Sequence, residues 1–116
     1  MRKRKLGRGV AVVGTGMSRF GAFPQSGSRD LFVEAFLEMR ESVDQGFDPK
    51  EIDAVYVGNF SSELFTHQGQ VAPILADWLG LAPRPAARIE NACASGGTAL
   101  RHGIMAIASG MADVVL

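Results

Sequence analysis

The sequence predicts an α/β layered fold, and three observations point to it. Short apolar runs alternate with stretches whose apolar residues recur at helical spacing. Glycines and turn dipeptides close almost every segment. The composition, 47% hydrophobic and 21% charged over 116 residues, is that of a folded globular chain.

The elements follow in order. Val10, Ala11, Val12 and Val13 read as a buried strand ending at Gly14, and a loop rich in Gly, Pro and Ser follows from Thr15 to Ser28. Ser28 is expected to cap a helix whose first turn holds Asp30 and whose apolar stripe is Phe32, Phe36, Met39 and Val43, with Gly46 as its stop. Asp48-Pro49 marks a turn, and Ala54 to Val57 is the second strand, closed by Gly58-Asn59. After a polar loop containing His67, a second helix carries Val71, Ile74, Leu75, Trp78 and Leu79, with Pro73 near its first turn and Gly80 at its end. Ala86 to Ile89 is a short extended segment, a third helix is expected from about Ala94 to Ser109, and Val114 to Leu116 begins another strand. The chain is expected to be part of a longer one, because it stops inside an apolar strand. The third helix points the same way, being apolar on two faces: Leu100, Ile104, Ile107 and Met111 on one, Ala99, Gly103, Ala106 and Gly110 on the other. The small-residue face is expected to take another helix.

Twelve basic and twelve acidic side chains cancel, so no net field favours nucleic acid or a membrane. Arg2, Lys3, Arg4, Lys5 and Arg8 gather at the start, and residues 1–9 are read as a basic, flexible tail ahead of a folded part at 10–116. No apolar run reaches the length of a membrane span or a secretory signal, so a soluble, cytoplasmic protein is expected. Cys93 is the only cysteine, so no intrachain disulfide can form.

That cysteine is the candidate for chemistry. It stands between a short strand and a helix start, where unpaired backbone N–H groups and the positive end of the helix dipole favour a thiolate. Gly96 and Gly97 leave room for a substrate chain or a neighbouring backbone, and the amides of the turn could hold a developing oxyanion. On spacing alone, Cys93 could equally be a small core residue. Other motifs carry less. Gly14-Thr-Gly16 lacks the third glycine of a dinucleotide fingerprint, because Arg19 stands there. Ser95 is no hydrolase elbow, since Cys93 occupies the position of the first glycine in G-x-S-x-G. His67 and His102 lack partners at metal-ligand spacing, so neither a metal nor a resident cofactor is expected. His102 is too far along the helix to serve Cys93, and Glu90 is a weak candidate base.

The stretch ENACASGGTAL, from Glu90 to Leu100, resembles the active-site signature of thiolases. VAVVGTGMSRFG resembles their first strand and loop, IDAVYVGNF and GQVAPILADWLGL their second strand and helix, and GMADVVL the strand after the nucleophile helix. On these residues the chain is identified as a member of the thiolase family, nearest its archaeal and sterol-carrier-protein-type branch. Ala94, and Asn91-Ala92 before the cysteine, depart from the classical signature.

The resemblance implies the first half of a layered α-β-α-β-α fold with a mixed sheet and a buried nucleophile helix. It implies that Cys93 carries an acyl group between coenzyme A thioesters, its backbone N–H serving the oxyanion hole. The activating histidines and an acid/base cysteine belong to the family's C-terminal half. A homodimer or dimer of dimers through residues 86–90 is implied, and an accessory protein is left open. A ketoacyl-synthase-type condensing enzyme shares the fold and the cysteine. A non-catalytic, thiolase-like scaffold subunit is the reading from a different class.

Overall fold

The computed structural model describes Lys5 and residues 7–116; Arg2, Lys3 and Arg4 of the basic start lie outside the described residues. Its elements are helix α1 (Ser28–Glu41), a 3₁₀ turn (Pro49–Glu51), strand β1 (Val55–Gly58), helix α2 (Glu63–Thr66), helix α3 (Val71–Trp78), strand β2 (Ala86–Ile89), a second 3₁₀ turn (Ala92–Ala94) and helix α4 (Ser95–Ala108).

β1 and β2 pair in parallel, Val55 opposite Ala86 through Gly58 opposite Ile89. On the other side of β1, Val115 forms a parallel bridge with Ala54. Every pairing among the described residues is therefore parallel, and the antiparallel member of the expected mixed sheet is not among them. Successive side chains of a strand point to opposite faces. Val55 and Val57 enter a core with Phe36 of α1 and Leu75 of α3. Tyr56 and Gly58 face α4, where the Tyr56 ring lies 6.0 Å from that of His102. Helices thus lie on both faces of the sheet, the α/β layering read from the sequence.

Several local readings need correction, and α1 ends at Glu41 with Ser42 as its C-cap, short of Val43 and Gly46. Ser28 is the first residue of α1, and Gly27 is the cap, its N–H donating to Asp30 Oδ2 at 2.8 Å. The polar loop before α3 holds the additional short helix α2, ended by His67 in the left-handed region.

Residues 10–13 do not form a strand, and Val12 and Val13 are 73% and 69% exposed. The chain just after them takes its hydrogen bonds from a helix. Thr15, Met17 and Arg19 donate their N–H groups to Ser42 Oγ, Glu38 Oε2 and Glu34 Oε1 at 2.8, 2.7 and 3.0 Å. Alternate residues of an extended segment thus meet helix side chains spaced four apart. Gly16 permits this closeness, because a Cβ there would overlap the Ala35 carbonyl oxygen. The Gly14-Thr-Gly16 motif is thereby explained by packing.

The small-residue face of α4 receives the sheet rather than another helix. Ala99, Gly103 and Ala106 are buried, and a Cβ on Gly103 would sit 3.3 Å from Val115 Cγ1. The larger apolar residues Leu100 and Met105 stay exposed.

Asp53 joins the chain's last segment to β1. Its Oδ2 accepts from the N–H of Asp113 at 2.7 Å and of Val114 at 3.1 Å, while its own N–H donates to the Val114 carbonyl at 2.9 Å. The Asp113 N–H, then that of Val114, hold the Asp53 carboxyl below its ordinary range, with Arg84 adding a smaller pull. A depressed carboxyl contributes stability that is full above the ordinary Asp value of about 3.9 and is lost as pH falls through the lower folded value. Asp53→Asn should therefore lower the urea midpoint at neutral pH, and the gap from wild type should shrink as the pH falls below the ordinary Asp value of about 3.9. Equal midpoints at neutral pH would contradict this role.

Candidate active site

β2 delivers the chain to the turn that carries Cys93. Arg88 anchors this strand from within: Nε donates to the Asn59 carbonyl at 3.1 Å, and Nη2 donates to the Phe60 carbonyl and, at 3.0 Å, to Glu63 Oε1. The guanidinium lies 2.9 Å from Glu63 Oε2 as well, a charge contact without a directed hydrogen bond. The hydrogen bond from Arg88 holds the Glu63 carboxyl below its ordinary range. Asn59 Oδ1 meanwhile accepts from the Ser62 N–H and hydroxyl at 3.2 and 2.8 Å. The loop leaving β1 is thereby fastened to strand β2.

The backbone then turns sharply. Ala92 has φ of 45°, a left-handed conformation that a residue bearing a Cβ rarely adopts. Cys93 follows inside the short 3₁₀ turn and is exposed. It therefore precedes the first residue of α4 by two positions rather than opening the helix itself.

The backbone donors of the turn are accounted for one by one. The Asn91 N–H goes to Ser95 Oγ at 2.9 Å and the Ala92 N–H to Glu90 Oε1 at 2.7 Å. The Ala94 N–H goes to the Asn91 carbonyl at 2.9 Å, and the Ser95 N–H to the Ala92 carbonyl. The Cys93 N–H alone has no partner among the described residues.

Gly58, at the end of β1, sets the depth of the turn. A Cβ there would stand 2.7 Å from the Gly96 Cα and N and from the Ser95 carbonyl carbon. These are backbone atoms that cannot swing aside. The close approach read for Gly96 is thus a contact between two glycine backbones, whereas a Cβ on Gly96 or Gly97 would meet nothing within 4 Å.

The remaining candidates stand apart from the thiol. His102 Nδ1 lies 2.8 Å from the Thr98 carbonyl on the same helix. His67 caps α2. Glu90, weighed above as a base, uses Oε1 on the Ala92 N–H. Among the described residues no group of three or more His, Cys, Asp or Glu side chains is placed to hold a metal ion. Sequence reasoning missed two supports. Ser95, 5% exposed, was weighed only as a nucleophile, and Arg88 was passed over although a charge inside an apolar strand is itself a signal.

A parallel α/β layer presenting one exposed thiol on a strand-to-helix elbow defines the class of protein. The chain belongs to the thiolase family: residues 10–116 match the family's N-terminal domain. It is 47% identical over 109 residues to an acetyl-CoA acetyltransferase of Methanothermobacter thermautotrophicus (strain Delta H), covering 94% of this chain and 28% of that protein. A second acetyl-CoA acetyltransferase, from Methanocaldococcus jannaschii, is 45% identical over 109 residues, covering 94% of this chain and 27% of that protein. The chain therefore spans little more than a quarter of the length of these relatives.

Packing at the β1–α4 contact is directly testable. Gly58→Ala should destabilise the protein by about 1–3 kcal/mol, as overpacking against backbone does. Urea denaturation measures it, and a change below about 0.5 kcal/mol would mean that the contact yields easily.

Proposed function

We propose that the complete protein is a thiolase-type acyltransferase that carries an acyl group on Cys93 and exchanges it between coenzyme A thioesters. The observation that carries this reading is an exposed thiol with an unpaired N–H on a braced elbow, in a chain close in sequence to two acetyl-CoA acetyltransferases. In the first step the Cys93 sulfur attacks the thioester carbonyl. A carbon–sulfur bond to Cys93 forms, the bond to coenzyme A breaks, and the thiol proton passes through a base to the departing coenzyme A. The Cys93 N–H is the donor for the oxyanion formed on the way. Gly96 and Gly97 keep the approach open.

In the second step the carbanion of another thioester attacks the acyl-enzyme and releases the Cys93 thiolate, giving a 3-ketoacyl-CoA. Coenzyme A attacking a 3-ketoacyl-CoA runs the sequence backwards. The base and the acid/base thiol come from the family's C-terminal half, and the substrate class is an acyl-CoA.

With radiolabelled acetyl-CoA, label should be found on the peptide containing Cys93, and Cys93→Ala should lower acetyl transfer by at least about a thousandfold. Label on another residue, or full transfer by the variant, would overturn the assignment. A wild-type protein that takes no label would favour the scaffold reading.

The proposal places the enzyme in the cytoplasm; no helix among the described residues is long and apolar enough to cross a membrane. It also makes the enzyme a homodimer or dimer of dimers joined through residues 86–90. The carbonyls of Pro85 and Ile89 accept from Val55 and Asn59 at 2.9 and 3.0 Å, so positions 85, 87 and 89 face β1. Ala86 and Arg88 turn their backbone groups outward, where no strand pairs with β2 among the described residues. Ala86→Pro removes an outward donor and spares the inner ladder. Light scattering after size exclusion should show a dimer for wild type and a monomer for the variant. An unaffected dimer would place the interface elsewhere.

A further inference from the structure

Cys93 stands on a turn that the backbone does not favour unaided. Ala92, immediately before it, sits at φ 45°, and no glycine is present to take that conformation freely. Two side chains hold it there. The Ser95 hydroxyl accepts from the Asn91 N–H at 2.9 Å and donates to the Ala92 carbonyl at 2.7 Å, so one buried side chain ties the Glu90–Asn91 peptide before the strained residue to the Ala92–Cys93 peptide after it. The Glu90 carboxylate accepts the Ala92 N–H at 2.7 Å. With both ties made, the N–H groups of Asn91 and Ala92 are spoken for by side chains. The next donor, that of Cys93, has no partner among the described residues, and the residue that carries it is exposed.

We infer that Ser95 and Glu90 are positioning residues that together clamp Ala92 in its left-handed conformation and so hold Cys93 for acyl transfer, an inference that rests on the acyl-transfer reading above. Ser95 acts through its hydroxyl on two backbone groups and does not touch the substrate. Glu90 acts as a hydrogen-bond acceptor, not as a base, and its charge is not required. A glycine at position 92 would adopt the same φ without the clamp. This separates a clamp from a merely well-packed serine.

The test uses the complete protein in five forms: wild type, Ser95→Ala, Ser95→Ala with Ala92→Gly, Glu90→Ala and Glu90→Gln. Acetyl transfer is measured for each, together with Cys93 alkylation by iodoacetamide and the thermal midpoint. Ser95→Ala should lower kcat by at least about tenfold while KM for acetyl-CoA stays within about twofold. Adding Ala92→Gly should bring kcat back to within about threefold of wild type. Glu90→Ala should slow the enzyme, whereas Glu90→Gln, which keeps an acceptor oxygen, should restore it. A Ser95→Ala enzyme with wild-type kcat would overturn the inference, as would a loss that Ala92→Gly leaves untouched.

Should Ser95→Ala fail to fold, the Glu90 pair decides. Glu90→Gln as damaging as Glu90→Ala would show that the charge matters and the clamp does not. Alkylation needs no acyl substrate and should follow the same order. If wild type takes no acetyl label, the acyl-transfer reading fails on its own; equal alkylation rates in all five forms would sink the clamp independently.

Discussion

The contact between the Gly58 and Gly96 backbones governs where everything else at the candidate site can stand. Two peptide chains approach so closely there that a single methyl group would collide with three backbone atoms. A side chain in that contact could change rotamer; a peptide group cannot. The contact fixes the first turn of α4 against the end of β1, and the Cys93 turn, two residues upstream of that helix, inherits the position. The small residues farther along α4 extend the same arrangement, since Ala99, Gly103 and Ala106 let the helix lie down on the sheet beside Val115.

Parallel pairing then decides which segments meet. When neighbouring strands run the same way, the loops leaving their carboxyl ends emerge on one side of the sheet, the side on which open α/β sheets hold their ligands. Gly58-Asn59 leaves β1 there and Glu90-Asn91 leaves β2 there. Arg88 turns that adjacency into attachment by donating to two carbonyls of the first loop and pairing with Glu63 of α2. The guanidinium suits this work, having several donors fixed in one plane.

Much of this was legible in the sequence because it obeys short-range rules. The apolar spacing of α1 and α3, the Asp48-Pro49 turn, the short apolar run of β1 and the glycine after α3 each follow from a few neighbouring residues. What escaped depends on partners far away in the chain. Residues 10–13 have the composition of a strand, but a strand is defined by its ladder, and the adjoining segment bonds instead to Glu34, Glu38 and Ser42. The small face of α4 was seen as a place of close approach. The sequence cannot say whether a helix or a sheet will come, because either needs only the absence of side-chain bulk. At the site, the cysteine and its setting between strand and helix were readable. Ser95 and Glu90 were not, because their hydrogen bonds depend on the left-handed turn at Ala92, which alanine's propensities do not announce.

The strain at Ala92 and the free N–H at Cys93 belong to one geometry. A regular run from strand into helix would carry the Ala92 amide and its neighbours onward in sequence, with no reason for side chains to reach back. Around the left-handed residue, Glu90 takes the Ala92 N–H while Ser95 takes the Asn91 N–H and the Ala92 carbonyl, so three successive peptide groups are held by two side chains. These side chains satisfy the donors at 91 and 92, and the 3₁₀ turn satisfies those at 94 and 95. An exposed N–H can bond to water, so leaving the Cys93 donor free costs little in the resting protein. It also leaves that donor available to an arriving carbonyl oxygen without first breaking a bond within the protein. In the acyltransferase reading this is where a strained backbone is useful, since a donor already in place needs no reorganisation when charge develops on the oxygen.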